Sequence, residues 1–175
     1  THPDCRLLLK GSDTLYPSRT MLQESLSGFP EATRQFLAAR TSYIGSVLSM
    51  ADMANMYRAA DCYVSPYRAE GFNMPPLEAA ACGTPVICTG GGATDDFMEE
   101  PFALKISASP RKLESDQRMQ EFLEPDLDHL VVLMRRAVED SRWREQAGQA
   151  GVAHVTAGFT WDRITDRLCD VLFPA

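Results

Sequence analysis

Short apolar runs, each closed by glycine, proline or small polar residues, alternate with stretches of helical spacing through the first hundred positions. Cys5–Lys10 reads as a buried strand ended by Gly11 and Ser12. Residues 13–28 are interrupted by Pro17 and Gly28 and fit one helical turn or two. Pro30 opens a predicted helix to Arg40, followed by a strand over Ser42–Ser46. Ser49 and Asp52 form a capping-box variant ahead of Met53, Met56, Tyr57 and Ala60, which share one helical face. The Met50, Met53 and Met56 spacing reads as core packing. Further strands are predicted over Asp61–Ser65, Pro85–Thr89 and Ala103–Ile106, with a helical turn or two over Thr94–Glu99. Pro75 and Pro76 suit the first turn of a helix running through Leu77–Ala81 and stopping at Gly83.

Residues 107–124 show charge without a clean period and read as a long surface segment with a turn of helix. Beyond Pro125, Leu127, Leu130, Val131, Met134 and Val138 recur at intervals of three and four, which predicts an amphipathic helix. Two more helices follow, over Ser141–Thr156 and Thr160–Leu172, the last capped by Thr160 and anchored by Phe159 and Trp161. Strands alternating with helices specify an α/β fold, a parallel sheet covered by helices on both faces with right-handed crossovers. Ligands of such folds bind beyond the carboxyl ends of the strands. That singles out the loops at 10–14, 46–50, 65–76 and 89–94.

The 175 residues suffice for one domain with a core, and 45% apolar with 23% charged residues is ordinary for a globular chain. A formal net charge of −7 disfavours nucleic acid and anionic membrane as partners. Cys5, Cys62, Cys82, Cys88 and Cys169 are odd in number and form no CxxC, so reduced thiols and a cytoplasmic location are expected. No apolar run reaches membrane-spanning length. His2, His129 and His154 are scattered, and neither a metal motif nor a G-x-S-x-G elbow occurs. Gly90–Gly92 follows a strand but lacks the P-loop ending and reads as a flexible turn.

The stretch EGFNMPPLEAAACGTP carries the chemistry. Glu70 falls in the loop after a strand and Glu78 in the first turn of the next helix, so both can border one cleft. Between them Gly71, Phe72 and Asn73 offer backbone N–H groups near a helix N-terminus, suited to phosphate or sugar oxygens. Gly71 permits a close or a left-handed backbone there. Two carboxylates near a sugar serve either hydrolysis or recognition of a vicinal diol. Helix-dipole stabilisation of an ionised Glu78 makes it a poor general acid and favours recognition. The competing reading leaves Glu78 as a helix decoration and Glu70 as a solvated loop residue.

The residues Ala60–Pro66, Glu70–Phe72, Pro76–Ala79 and Cys82–Val86 together resemble the carboxy-terminal, donor-binding domain of family 4 (group 1) retaining glycosyltransferases. The glutamates with seven residues between them match that family's Glu-x7-Glu element. Cys5–Gly11, Tyr43–Gly45, Met56–Tyr57 and Phe159–Trp161 extend the likeness over most of the chain, apart from 12–30 and 101–124. The resemblance implies the carboxy-terminal half of a GT-B fold, a Rossmann-like three-layer parallel sheet occupying residues 1–175 as a single partial domain. It implies a hexosyltransferase-like enzyme that moves a sugar from a nucleotide diphosphate sugar, UDP-sugar by default, to an acceptor hydroxyl, with no separate cofactor and no metal. By residue, Glu78 would hold the ribose hydroxyls, and Glu70, the catalytic residue, would contact hydroxyls of the transferred sugar. The amides of Gly71, Phe72 and Asn73 would support that sugar or the distal phosphate. Leu77 would lie near the nucleotide, and Tyr43 and Gly45 would border the base.

Departures from the family pattern shape the remaining expectations. The family's half begins with an earlier strand, helix and basic pair that nothing before Thr1 matches; Lys10 does not take that role. The amino-terminal acceptor domain is the expected partner, and membrane association would rest on it. Without it the 175-residue stretch is expected to be inactive alone and to pair through an exposed sheet edge. Asn73 stands where the family commonly has a small residue, and Asp95–Asp96 fall in a surface loop near where it often has glutamate. A non-catalytic nucleotide-binding or interaction domain and part of a nucleotide-sugar epimerase are the other function classes.

Overall fold

The structure is a computed structural model that describes residues 2, 4–115 and 118–174. It divides into two units, Thr1–Met50 and Ala51–Ala175. In the first, β1 (Leu7–Lys10) pairs in parallel with β2 (Thr41–Ile44), Leu7 opposite Thr41 and Lys10 opposite Ile44. The helices α1 (Ser18–Ser27) and α2 (Glu31–Ala38) form the crossover. Where one or two turns were open over 13–28, Ser18–Ser27 makes a ten-residue helix that begins just after Pro17. The Cys5–Lys10 strand forms as expected but is not buried, since Leu7 and Leu8 remain 47% and 41% exposed. Two strands and two helices cannot enclose a core.

The second unit holds the core. Helix α3 (Met50–Arg58) leads to β3 (Tyr63–Ser65), α4 (Met74–Ala81) to β4 (Val86–Thr89), and a 3-10 turn over Ala93–Asp96 to β5 (Ala103–Ile106). The order β3-β4-β5 is parallel throughout. All four residues of β4 are buried, which is why PVICT reads as a continuous apolar run rather than an alternating one. Helix α4 packs on β3 and β4, and its outer side meets α6 (Ser141–Gly158). Helix α5 (Leu127–Glu139) packs against β5 and α6. Asp126, Asp140 and Thr160 cap α5, α6 and α7 (Trp161–Leu172) by accepting from His129 N–H, Trp143 N–H and Arg163 N–H.

Four expectations need correction. Residues 107–124 lie at the surface as expected, but the described residues among them carry no helical turn. They form an antiparallel hairpin of β6 (Ala108–Ser115) and β7 (Arg118–Pro125), in register from Ala108 opposite Pro125 to Ser115 opposite Arg118. Backbone pairing satisfies the amides of this charged stretch without an apolar face, so no period-two signal was available to reveal it. In α5 the buried face is Leu133 and Ala137, with Leu130 partly covered, whereas Leu127, Val131, Met134 and Val138 stay 41–66% exposed. Trp161 does not anchor α7, being 85% exposed; Phe159 packs on the core instead. Of the three methionines, Met53 and Met56 pack against the core, and Met50 is exposed.

Cys88 is buried, Cys62 and Cys82 are half-buried, and Cys5 and Cys169 are exposed, all as free thiols. Burial pushes the Cys62 thiol up to about 12, so it stays protonated and packs as a small apolar group. No helix among the described residues is long and apolar enough to cross a membrane.

Candidate functional site

Helix α4 starts at Met74, three residues before the expected Leu77. Pro75 and Pro76 fall inside its first turn, where a missing N–H breaks no hydrogen bond. Glu78 is therefore the fifth helical residue, and the first turn carries no acidic group. The dipole argument for Glu78 weakens accordingly, because that effect falls off beyond the terminal turn. Glu78 is instead oriented by a neighbour: the Tyr57 phenol of α3 donates to its Oε2 at 2.8 Å. Tyr57 is 4% exposed. Burial, then the Glu78 carboxylate, pushes its phenol far above the ordinary tyrosine range, so it remains a donor at any working pH. The buried Thr84 hydroxyl donates to the Tyr57 carbonyl at 2.8 Å, tying α3 to the turn that follows α4.

Replacing Tyr57 with Phe removes one hydrogen bond to a carboxylate and leaves the ring in place. The expected result is a stability loss of about 1–2 kcal/mol in urea unfolding, with the m-value unchanged.

The loop from β3 to α4 carries Glu70, Gly71, Phe72 and Asn73. The left-handed residue is Asn73 (φ 67°), not Gly71, which corrects the left-handed backbone expected at that glycine. Asparagine tolerates this region better than other side-chain-bearing residues. Asn73 caps no helix N–H; it is 7% exposed, and its Nδ2 donates to Ser65 Oγ at 3.0 Å, closing the loop on the end of β3. Phe72 stacks on buried Phe97 at 4.5 Å, so this half-exposed ring is supported from one face. Glu70 and Gly71 are exposed. Leu77 is buried in the core.

Tyr63, on β3, was not singled out from sequence, where it reads as one more apolar strand residue. Burial pushes its phenol up, and the charges of Glu78 and then Glu70 push it further. Both carboxylates thus act on one half-buried hydroxyl at the strand. The Tyr63 ring meets that of Tyr57 edge-on, 5.7 Å between centroids.

At the glycine turn after β4, Asp95 accepts from Gly91 N–H at 2.7 Å and from Lys105 Nζ at 2.6 Å. Gly91 takes φ 85°, a backbone its lack of a side chain permits, and the turn carries a paired carboxylate.

Tyr43 and Gly45 belong to the first unit. There the Tyr43 phenol donates to Asp13, whose backbone N–H donates to the Gly45 carbonyl at 2.9 Å. Arg19 lies 4.6 Å over the Tyr43 ring and pairs with Asp13. The Tyr43 hydrogen bond, aided by Arg19, holds the Asp13 carboxyl below its usual range. A Cβ at Gly45 would overlap the Asp13 carboxylate, so a side chain there would displace Asp13 from Tyr43.

The glycosyl transferases group 1 family matches residues 1–111. A GDP-mannose-dependent monoacylated alpha-(1-6)-phosphatidylinositol monomannoside mannosyltransferase of Corynebacterium glutamicum is 29% identical over 97% of this chain and 39% of its own length. The chain thus spans about two fifths of that relative. Sucrose-phosphate synthase from Thermosynechococcus elongatus has a similar structure, with TM-score 0.71 and 20% identity over 98% of this chain and 46% of that one. The carboxy-terminal domain of a glycosyl transferase group 1 family protein from Francisella tularensis gives TM-score 0.60 at 21% identity, over 83% of this chain and 66% of its own. These structures bear out the α/β architecture of a GT-B carboxy-terminal half. With more than half of its residues matched to the family and the Glu-x7-Glu element on the loop and helix that follow β3, the chain belongs to the glycosyl transferases group 1 family.

Proposed function

We propose that this chain is the donor-binding part of a retaining glycosyltransferase that passes a sugar from a nucleotide diphosphate sugar to an acceptor hydroxyl. The observation that carries the reading is Glu78, oriented by the Tyr57 phenol at 2.8 Å, on the helix that follows the loop bearing Glu70. A fixed carboxylate accepts two hydrogen bonds from vicinal hydroxyls without reorganising. Glu78 holds the ribose, and Glu70 holds hydroxyls of the transferred sugar. The amides of Gly71, Phe72 and Asn73 face the sugar or its distal phosphate, with the backbone of Leu77 near the nucleotide. Tyr43 and Gly45 are assigned to the border of the base. In the transfer, the bond from the anomeric carbon to the diphosphate oxygen breaks, one to the acceptor oxygen forms on the same face, and the acceptor hydroxyl proton passes to the departing diphosphate. Backbone donors stabilise the departing diphosphate. An amino-terminal half supplies the acceptor surface.

The reading takes uridine diphosphate as the donor nucleotide. The relative named for GDP-mannose, aligned over 97% of the chain, favours a guanosine donor as the second reading. Ligand-observed NMR with UDP, GDP, ADP and their glucose or mannose conjugates decides between them. Selective binding of one nucleotide supports the assignment and identifies the base. Equal, unselective binding of all three, or binding of none, counts against a donor site on this chain.

A further inference from the structure

The loop that carries Glu70 is held from an unexpected side. Tyr67 is fixed to β4 and the turn beyond it: its carbonyl accepts from the Thr89 hydroxyl at 2.8 Å, and its phenol is 3.0 Å from the Thr94 hydroxyl. The next residue, Arg68, is fixed to the hairpin. Its carbonyl accepts from Leu123 N–H at 2.8 Å, and its guanidinium makes a two-pronged pair with Glu124, Nε to Oε2 at 3.0 Å and Nη2 to Oε1 at 2.8 Å. The Leu123 side chain fills the space beside the glycine turn: a Cβ on Gly92 would lie 2.8 Å from both Leu123 Cδ1 and the Tyr67 hydroxyl. At the far end of the loop, Asn73 is tied to Ser65. Between the Arg68 and Asn73 pins lie only Ala69–Phe72, the segment that holds Glu70.

We infer that the β6–β7 hairpin, through Leu123 and the Arg68–Glu124 pair, positions the Glu70 loop and so tunes recognition of the transferred sugar. This rests on the donor reading above. Fixing both ends of a short segment reduces the freedom lost when its carboxylate engages a ligand. A two-pronged arginine–carboxylate pair sets direction as well as distance, which a single contact does not. Leu123 and Glu124 lie beyond the residues 1–111 that match the family, so the brace comes from outside the matched segment. Arg68 and Glu124 are positioning residues: they act on the site through Glu70.

The test compares Arg68→Ala, Glu124→Ala and the exchanged pair R68E/E124R in this chain. Binding of a nucleotide sugar is measured beside binding of the same nucleoside diphosphate without sugar. Each single change is expected to weaken the sugar conjugate about threefold, leave the bare diphosphate unchanged, and be reversed in the exchanged pair. The same variants should speed hydrogen exchange at the Leu123 amide and shift the Gly71 amide resonance, with the exchanged pair returning both toward the original. Equal weakening of both ligands, or no change in either, overturns the inference. If the unaltered chain binds neither ligand, the donor reading fails by itself. The Gly71 and Leu123 amides still judge the brace, and unchanged signals in Glu124→Ala overturn it.

Discussion

Glu78→Ala should weaken binding of a nucleoside diphosphate and of its sugar conjugate alike, by about 10- to 100-fold. The estimate follows from losing two hydrogen bonds to a charged acceptor, each contributing about 1.5–3 kcal/mol and partly replaced by water. The equal effect on both ligands distinguishes ribose recognition from sugar recognition, because the ribose is common to them. Glu70→Ala, in contrast, should act on the conjugate alone. Glu78→Ala also strands the Tyr57 phenol, which is 4% exposed and loses its acceptor. The double change Y57F/E78A removes that stranded donor, so it should recover part of the stability and none of the binding. Titration calorimetry paired with urea unfolding separates these effects. Undiminished nucleotide binding by Glu78→Ala would remove the ribose assignment.

The largest expected loss of stability comes from a residue with no chemistry of its own. A Cβ at Gly148 of α6 would stand 2.4 Å from the Gly83 carbonyl oxygen. Gly83 has φ 81°, a region that its own lack of a side chain permits and that fixes the turn after α4. The obstacle is backbone, so no rotamer change relieves it. In an open helix, adding a side chain at glycine gains up to about 1 kcal/mol. Here the overlap reverses the sign, and Gly148→Val should cost about 3 kcal/mol. Gly158, with nothing within 4 Å of a Cβ, is the control, and Gly158→Ala should leave stability unchanged or slightly higher. Gly151 is intermediate, its Cβ position 3.1 Å from the Ala80 carbonyl oxygen. Because Gly148 sets how closely α6 approaches α4, the helix that bears Glu78, Gly148→Val should also weaken nucleotide binding. Native-like stability in Gly148→Val would show that the α4–α6 approach is adjustable.

The alternation of strands and helices, and the placing of Glu70 on a loop and Glu78 on the helix that follows it, were determined locally. β4 and β5 are runs of four residues bounded by glycine, proline or a polar turn, and such boundaries act through the backbone whatever the fold around them. The prolines of α4 marked a helix start in the same way, though not its first residue: Asn73 adopts a left-handed backbone because its side chain is held by Ser65, eight residues back. Long-range contacts decided the rest. The apolar stripe of α5 is wider than the face it buries, and packing on β5 and α6 selected Leu133 and Ala137. Tyr57 and Glu78 are 21 positions apart, and Arg68 and Glu124 are 56 apart; no spacing rule joins such pairs. The hairpin was invisible for the same reason. Its strands are stabilised by pairing with each other and by their grip on Tyr67 and Arg68, and neither leaves a pattern in a stretch as charged as RKLES.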